Sequence, residues 1–173
     1  MGEALDIVGY DPGWPEAFEN EAIRLRGALG ALAIRIDHHG STAVPELSAK
    51  PIIDIQISVR ALQPLAAYRD RLEAIGYTHV PHPDDAFAPF FHRPAEWPHT
   101  HHVHVVEAGG VEERRTLAFR DYLRDHSDVR REYEERKRTL AERVKGDDAA
   151  SHEAYARAKS EFVERVVALA MER

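Results

Sequence analysis

A single aspartate interrupts an otherwise apolar run in the segment DHHGSTAVPELSAKPIIDIQISV, residues 37–59. Asp54 lies between two isoleucines, where a carboxylate is costly unless it is exposed or paired. A glycine-serine pair, Gly40 and Ser41, precedes it, and glycine lets a phosphate approach the backbone closely. The segment therefore predicts a phosphate-binding turn followed by a functional aspartate. The simpler alternatives are a plain turn and a surface ion pair between Asp54 and Lys50 or an arginine.

Glycine-serine, a spacer of about this length and then an aspartate on a strand is a pattern that resembles the polymerase-β-type nucleotidyltransferases. In those enzymes the turn holds a triphosphate, and two carboxylates two residues apart hold magnesium. Here position 56 is glutamine, which brings no charge to a metal. Standard two-metal chemistry is therefore in doubt.

Six histidines lie between His82 and His104, and two of them share one face of a predicted strand. His102 and His104 alternate with valines, so both side chains project to the same side. If this strand lies beside that of Asp54, the three side chains form a mixed nitrogen and oxygen cluster. Such a cluster suits zinc, iron, manganese or nickel better than magnesium. We therefore expect a divalent metal ion (Mg, Mn or Zn) bound by Asp54, His102 and His104, with Asp54 and His104 catalytic; two solvated strand histidines are the alternative.

Other histidines and two arginines are candidates for ligand contacts. His38 or His39 is placed to join the same pocket, and His82, His92 and His99 to close over a ligand from a flap. Arg120 and Arg124 lie one helical turn apart, a spacing that can grip a phosphate or carboxylate. An ion-pair network with neighbouring acids explains that pair equally well. The run REYEERKR, residues 131–138, is interpreted as a solvated helix face.

The elements that must position these residues follow from periodicity. Apolar residues recur at helical spacing from Trp14 to Leu29, with Gly30 suited to end that helix. A second helix is predicted at 63–75. Strands are predicted at 32–37, 51–59, 77–80 and 101–107, and the proline-rich residues 81–100 as a long loop or flap.

The last third of the chain predicts three helices. The first covers residues 112–126, and the second is capped by Ser127 and ends at Gly146. One final helix is striped by Tyr155, Ala158, Phe162, Val166 and Leu169. The order of elements predicts an α+β (α/β-like) fold, a small mixed sheet flanked by helices, in a single domain over residues 1–173.

Composition narrows the function classes. The 173 residues carry a formal charge of −7, which argues against broad nucleic-acid binding, and contain no cysteine. Neither a signal peptide nor a membrane span is apparent, so a cytoplasmic protein without a membrane partner is expected. The partner expected instead is an anionic or nucleotide small molecule, and the sequence leaves the oligomeric state open.

The segments HHGSTAVPELSAKPIIDI, HHVHVVEAGG and LAFRDYLRDHSDVRREYEERKRTLA resemble the GrpB family over nearly the whole chain. The resemblance implies a nucleotidyltransferase-like fold. Domains of that family also occur fused to dephospho-coenzyme A kinase, which points to nucleotides or coenzyme A. The positions that match the motifs are Gly40, Ser41, Lys50, Asp54, His102, His104, Arg120 and Arg124.

This sequence departs from the family at two positions. His39 stands where isoleucine is usual and adds a possible ligand or base. Glu46 stands where glycine is usual; it either pairs with Lys50 or partly replaces the absent second carboxylate. Three hypotheses follow: a nucleotidyltransferase-like enzyme with metal-dependent transfer, a catalytically silent module for a nucleotide or coenzyme A-type ligand, and a metalloenzyme built on the histidines.

Overall fold

The structure is a computed structural model that describes residues 6–144 and 148–172. Helices and strands follow one another along these residues without an internal repeat. The helices are α1 Trp14–Leu29, α2 Ala66–Glu73, α3 Val111–Asp125, α4 Ser127–Arg143, α5 Ala149–Ala158 and α6 Ser160–Met171. The strands are β1 Arg35–His39, β2 Ile53–Val59, β3 Thr78–Val80, β4 Phe90–Arg93 and β5 His101–Glu107. Short 3-10 helices cover Gly30–Leu32, Ser41–Ala43 and Pro83–Ala86.

The five strands form one mixed sheet in the order β1-β2-β5-β4-β3. β2 runs parallel to β5, and the other three neighbouring pairs are antiparallel. The two strands that carry the candidate chemistry are thus direct neighbours near the middle of the sheet. The register aligns Asp54 with His102 and Gln56 with His104.

One face of the sheet carries the main hydrophobic core. The stripe of α1 predicted from the sequence, which includes Phe18, Leu25 and Leu29, packs against alternate residues of β2 and β5. Ile55 and Val103 are fully buried there, since odd-numbered positions of both strands face α1. The even-numbered residues, including Asp54 and His102, consequently point to the opposite side.

The opposite side faces the C-terminal helices, which have a smaller apolar core of their own. Leu123, Tyr133 and Phe162 pack with the segment after the Ser41–Ala43 turn rather than with the strands. A polar space is left between this helical layer and the sheet. The predicted α+β class, a mixed sheet flanked by helices with further helices at the C-terminal end, is confirmed.

Several predicted boundaries were wrong. The loop predicted at 81–100 contains β4, and the strand predicted at 32–37 lies at 35–39. His126 takes the N-cap position of α4, and Ser127 is the first helical residue. The single final helix is divided at Lys159, whose backbone joins α5 to α6. Gly146, predicted to end α4, lies outside the described residues.

None of the helices described here combines the length and the apolar character that crossing a membrane requires.

Candidate functional site

A cleft of about 930 Å³ occupies the space between the sheet and the C-terminal helices. Its floor is the polar face of β2 and β5, and its opposite wall comes from α4, α5 and α6. The Gly40–Ser41 turn and Lys50 border the floor. The predicted residues that line it are Gly40, Ser41, Lys50, Asp54, His102 and His104.

The Gly40 turn is built around the carboxylate of Asp54. Gly40 adopts φ 70° and ψ −172°, a conformation that is nearly restricted to glycine. A Cβ atom at this position would lie 2.3 Å from Asp54 Oδ2, well inside contact distance. The glycine is therefore required both by the backbone and by the close approach of the aspartate.

Asp54 lies beside His102 on the neighbouring strand. His102 Nδ1 is 3.6 Å from Asp54 Oδ1, and the side chains are 17% and 29% exposed. Burial raises the pKa of Asp54, although His104 and three nearby lysines oppose that rise. Burial also lowers the pKa of His102 to about 2, so this imidazole is neutral at neutral pH.

Two further imidazoles face the cleft as neutral groups. His39 and His104 meet edge to face with ring centres 5.6 Å apart. Burial lowers the pKa of each to about 4. His104 Nδ1 and His39 Nε2 are buried and have no hydrogen-bond partner among the described residues. Both residues line the cleft, and the expectation that His38 or His39 joins this pocket is met by His39.

A column of stacked rings closes one side of the cleft. His92 stacks on His99, His99 on Trp97 and Trp97 on His152, with ring centres 3.8 to 3.9 Å apart. His99 Nδ1 also lies 3.0 Å from His102 Nε2. The column ties the predicted flap to α5 and fixes the orientation of His102.

The residues expected to bind a metal do not fit that task. Across residues 6–144 and 148–172, no group of three or more histidine and carboxylate side chains has an arrangement that could hold a metal ion. His102 already uses Nε2 on His99, and Gln56 takes the place of a second carboxylate on β2. The Gln56 side chain is fully buried, and its amide nitrogen donates to the backbone carbonyl of Glu113.

Three lysines face the cleft instead. Lys50 Nζ lies 4.7 Å and Lys159 Nζ 5.0 Å from the ring centre of Tyr155. Lys137 Nζ lies 4.9 Å from the ring centre of Tyr133 and donates to the backbone carbonyl of Ser48. Burial, with a further contribution from Lys159, lowers the pKa of Lys137 to about 6. The three amines oppose the rise that burial causes in the pKa of Asp54, so all three act on this carboxylate.

Comparison with known proteins agrees with the motifs. The model of the GrpB protein family matches residues 4–168. The chain belongs to the GrpB family. It is 38% identical over 137 residues to the UPF0157 protein YqkA of Bacillus subtilis, which covers 79% of this chain and 40% of YqkA. The dephospho-CoA kinase of Mycolicibacterium paratuberculosis is 33% identical over 165 residues, 82% of this chain and 40% of that protein. This chain thus spans well under half the length of both relatives.

A solved structure of the family has the same fold. The crystal structure of the conserved protein GrpB from Enterococcus faecalis superposes with a TM-score of 0.84 at 30% sequence identity. The match covers 96% of this chain and 98% of that one. The whole GrpB fold described above, including the helical wall of the cleft, is thus shared.

The two arginines predicted to bind substrate are not brought into the cleft of this GrpB protein. Arg120 donates to the backbone carbonyl of His38 at 3.0 Å. Arg124 donates twice to the carbonyl of Ala43, at 2.9 and 2.8 Å. Both guanidinium groups hold the backbone around the Gly40 turn from outside, so they position the turn rather than contact a ligand.

Glu46 does not supply the absent carboxylate either. Its side chain is 80% exposed and pairs with Arg130 at 3.0 Å, not with Lys50. Its φ of 71° lies in the left-handed region that favours glycine.

Sequence reasoning missed Lys137 and Lys159. Residues 131–138 were interpreted as a solvated face, but Lys137 is only 2% exposed. A usable signal was present in the composition. The sequence has 23 basic residues but only four lysines, Lys50, Lys137, Lys145 and Lys159. Three of them line the cleft, and Lys145 lies outside the described residues.

Proposed function

We propose that this GrpB protein binds a phosphorylated small molecule of the nucleotide or coenzyme A class. The observation that carries the proposal is the convergence of Lys50, Lys137 and Lys159 with the Gly40–Ser41 turn on one cleft. Lysine amines and backbone N–H groups at a glycine turn are the groups that proteins use for phosphate. These groups favour an anion locally, although the whole chain and the complete lining of the cleft carry more acidic than basic side chains.

The remainder of the cleft suits the rest of such a ligand. Val80 and Phe87, which are 36% and 47% exposed, line its outer wall and offer apolar contact to a base or a pantetheine-like arm. Trp97 and Gln56 also line the cleft, and their Nε1 and Oε1 atoms are buried without a hydrogen-bond partner among the described residues. The family relative named dephospho-CoA kinase is consistent with a ligand of this class.

If the site also transfers a phosphoryl or nucleotidyl group, Asp54 and His104 are the residues we assign to catalysis. Asp54 is the carboxylate nearest the turn, and His104 has an uncommitted ring nitrogen beside it on the sheet. Either can accept the proton of an attacking hydroxyl. No step is assigned to a metal ion, because the donor set does not fit one.

Binding without turnover is the second candidate, and Gln56 favours it. Its uncharged amide occupies the strand position where transfer enzymes of the resembling class carry a carboxylate. Asp54 would then act as a hydrogen-bond acceptor for a ligand hydroxyl.

Titration calorimetry with nucleoside triphosphates and coenzyme A tests the proposal, followed by product analysis of any ligand that binds. We expect the K50M variant to bind at least tenfold more weakly than the wild type, because it loses one charged contact. R136M is the matched control, since Arg136 pairs with Glu132 on α4 and does not line the cleft. Absence of binding to every phosphorylated probe would refute the proposal, and intact ligand after long incubation would select the silent module.

A further inference from the structure

The charged walls of the cleft are mostly neutralised within themselves. Arg115 pairs with Glu164 at 2.5 Å, and Arg157 pairs with Glu153 at 3.2 Å. On the flap side His79 lies 3.0 Å from Asp85. Glu112 lies 3.8 Å from Arg115 and Asp84 lies 3.4 Å from His82, so the lining as a whole is not cationic. The lysines that act on Asp54 are Lys50, Lys137 and Lys159.

The three lysine amines are linked by two shared aromatic rings. Lys50 and Lys159 share the ring of Tyr155, and Lys159 and Lys137 share the ring of Tyr133 at 6.0 and 4.9 Å. Three amines gathered in this way match a chain of phosphoryl groups, which carries several negative charges, better than they match a single phosphate.

A metal-bound polyphosphate is a poorer match for the same cleft. Magnesium held on phosphate oxygens is usually bound by one or two protein carboxylates, and β2 offers Asp54 alone, since the next position on this face is the neutral Gln56. The bound metal would also cancel negative charge that the lysines attract.

Resting on the proposed function, we propose that the cleft binds the diphosphate or triphosphate group of its ligand as the metal-free anion, with Lys50, Lys137 and Lys159 supplying the counter-charge. In sites of the resembling class that charge comes from magnesium. Here the amines take its place.

Protonation of Lys137 on binding gives a second way to test the proposal. Burial and the neighbouring Lys159 and Lys50 depress the pKa of Lys137 to about 6, while Glu134 opposes them and Arg138 adds to them. A polyphosphate beside this amine favours its charged form. Binding near pH 7.5 therefore takes up protons, as calorimetry in buffers of different ionisation enthalpy measures.

The experiment titrates wild-type protein with orthophosphate, pyrophosphate and tripolyphosphate, each in EDTA and again in excess magnesium. We expect affinity to rise at least about tenfold from orthophosphate to pyrophosphate, to persist in EDTA, and to fall severalfold in magnesium. K50M, K137M and K159M should each lower tripolyphosphate affinity about tenfold. R136M, which makes the same charge change at a residue of α4 that does not line the cleft, should match the wild type.

The outcomes separate this inference from the proposed function. Binding that requires magnesium, or equal affinity for orthophosphate and tripolyphosphate, overturns the inference and leaves phosphate binding standing. Failure of all three anions and of the nucleotides under both conditions overturns both. If K137M does not fold, K50M and K159M still decide whether the lysine amines contribute to binding.

Discussion

Replacing Gly40 with alanine tests whether the turn and Asp54 are built as one unit. An alanine at φ 70° and ψ −172° costs about 1–3 kcal/mol in backbone strain alone. Its Cβ would also lie 2.3 Å from Asp54 Oδ2, so the carboxylate must move. Forcing such an overlap costs about a further 1–3 kcal/mol. G40A should therefore lose about 2–6 kcal/mol of unfolding free energy.

Gly30 provides the matched control. It has φ 56° and ψ −132°, and a Cβ there meets no atom within 4 Å. G30A should therefore lose only the strain contribution of about 1–3 kcal/mol. Urea denaturation of the two variants, followed by far-UV circular dichroism, measures the difference.

A double-mutant cycle isolates the contact itself. D54A removes the Oδ2 atom that the new methyl group meets, so G40A and D54A together should cost about 1–2 kcal/mol less than the sum of the two single variants. Additive losses, or equal losses in G40A and G30A, would refute the argument that the turn is shaped around the carboxylate.

Three further predictions concern other parts of the chain. The pKa of Lys137 is about 6 when folded and near 10.5 when unfolded, so the unfolded state binds more protons between those values and stability rises with pH. Between pH 7 and pH 8 the wild type should gain about 1 kcal/mol that K137M does not gain, measured by urea denaturation. His38 stacks on Phe18 and hydrogen-bonds to Thr42, and burial lowers its pKa to about 3. The unfolded state therefore binds more protons, and stability falls as the pH drops below 6.5. H38Q should reduce the dependence of unfolding free energy on pH between pH 6 and 4 by nearly one proton, and an equal dependence in both proteins would count against this prediction. E46G should raise the free energy of unfolding by about 0.5 kcal/mol, measured by thermal unfolding. Relief of the positive φ of Glu46 should outweigh the loss of its exposed ion pair with Arg130 and the greater entropy of the unfolded glycine chain. A clear loss of stability would show that Glu46 is not strained.

The sequence predicted the features that depend on the spacing of apolar residues within one helix or strand. The α1 stripe was predicted with the observed bounds, because five buried apolar residues at helical spacing leave one way to face the sheet. The neighbourhood of Asp54 and His102 was also predicted, since both strands alternate and the resemblance implied their pairing. The alternation can be inferred from one strand or one helix at a time, whereas the pairing of the two strands was inferred from the family resemblance.

The missed features depend on distant parts of the chain. β4 has four residues among prolines, and its hydrogen bonds come from β3 and β5. A helical wheel identifies the polar side of α4 but not that Lys137 meets a cleft closed by α5 and α6. The prediction for the two arginines was wrong for the same reason, because Arg124 donates to a backbone carbonyl 81 residues away in the sequence.

Because most basic residues of this chain are arginines and three of its four lysines line the cleft, amine-specific reagents can be used to probe the cleft. Reagents that acylate or reductively alkylate primary amines leave guanidinium groups untouched, so side-chain modification of this protein is restricted to four positions. Among those, Lys137 has the lowered pKa and is a free base at neutral pH, where ordinary lysines are protonated. Mass-spectrometric mapping of a mild acylation, with and without a bound anion, would therefore report occupancy of the cleft without any mutation.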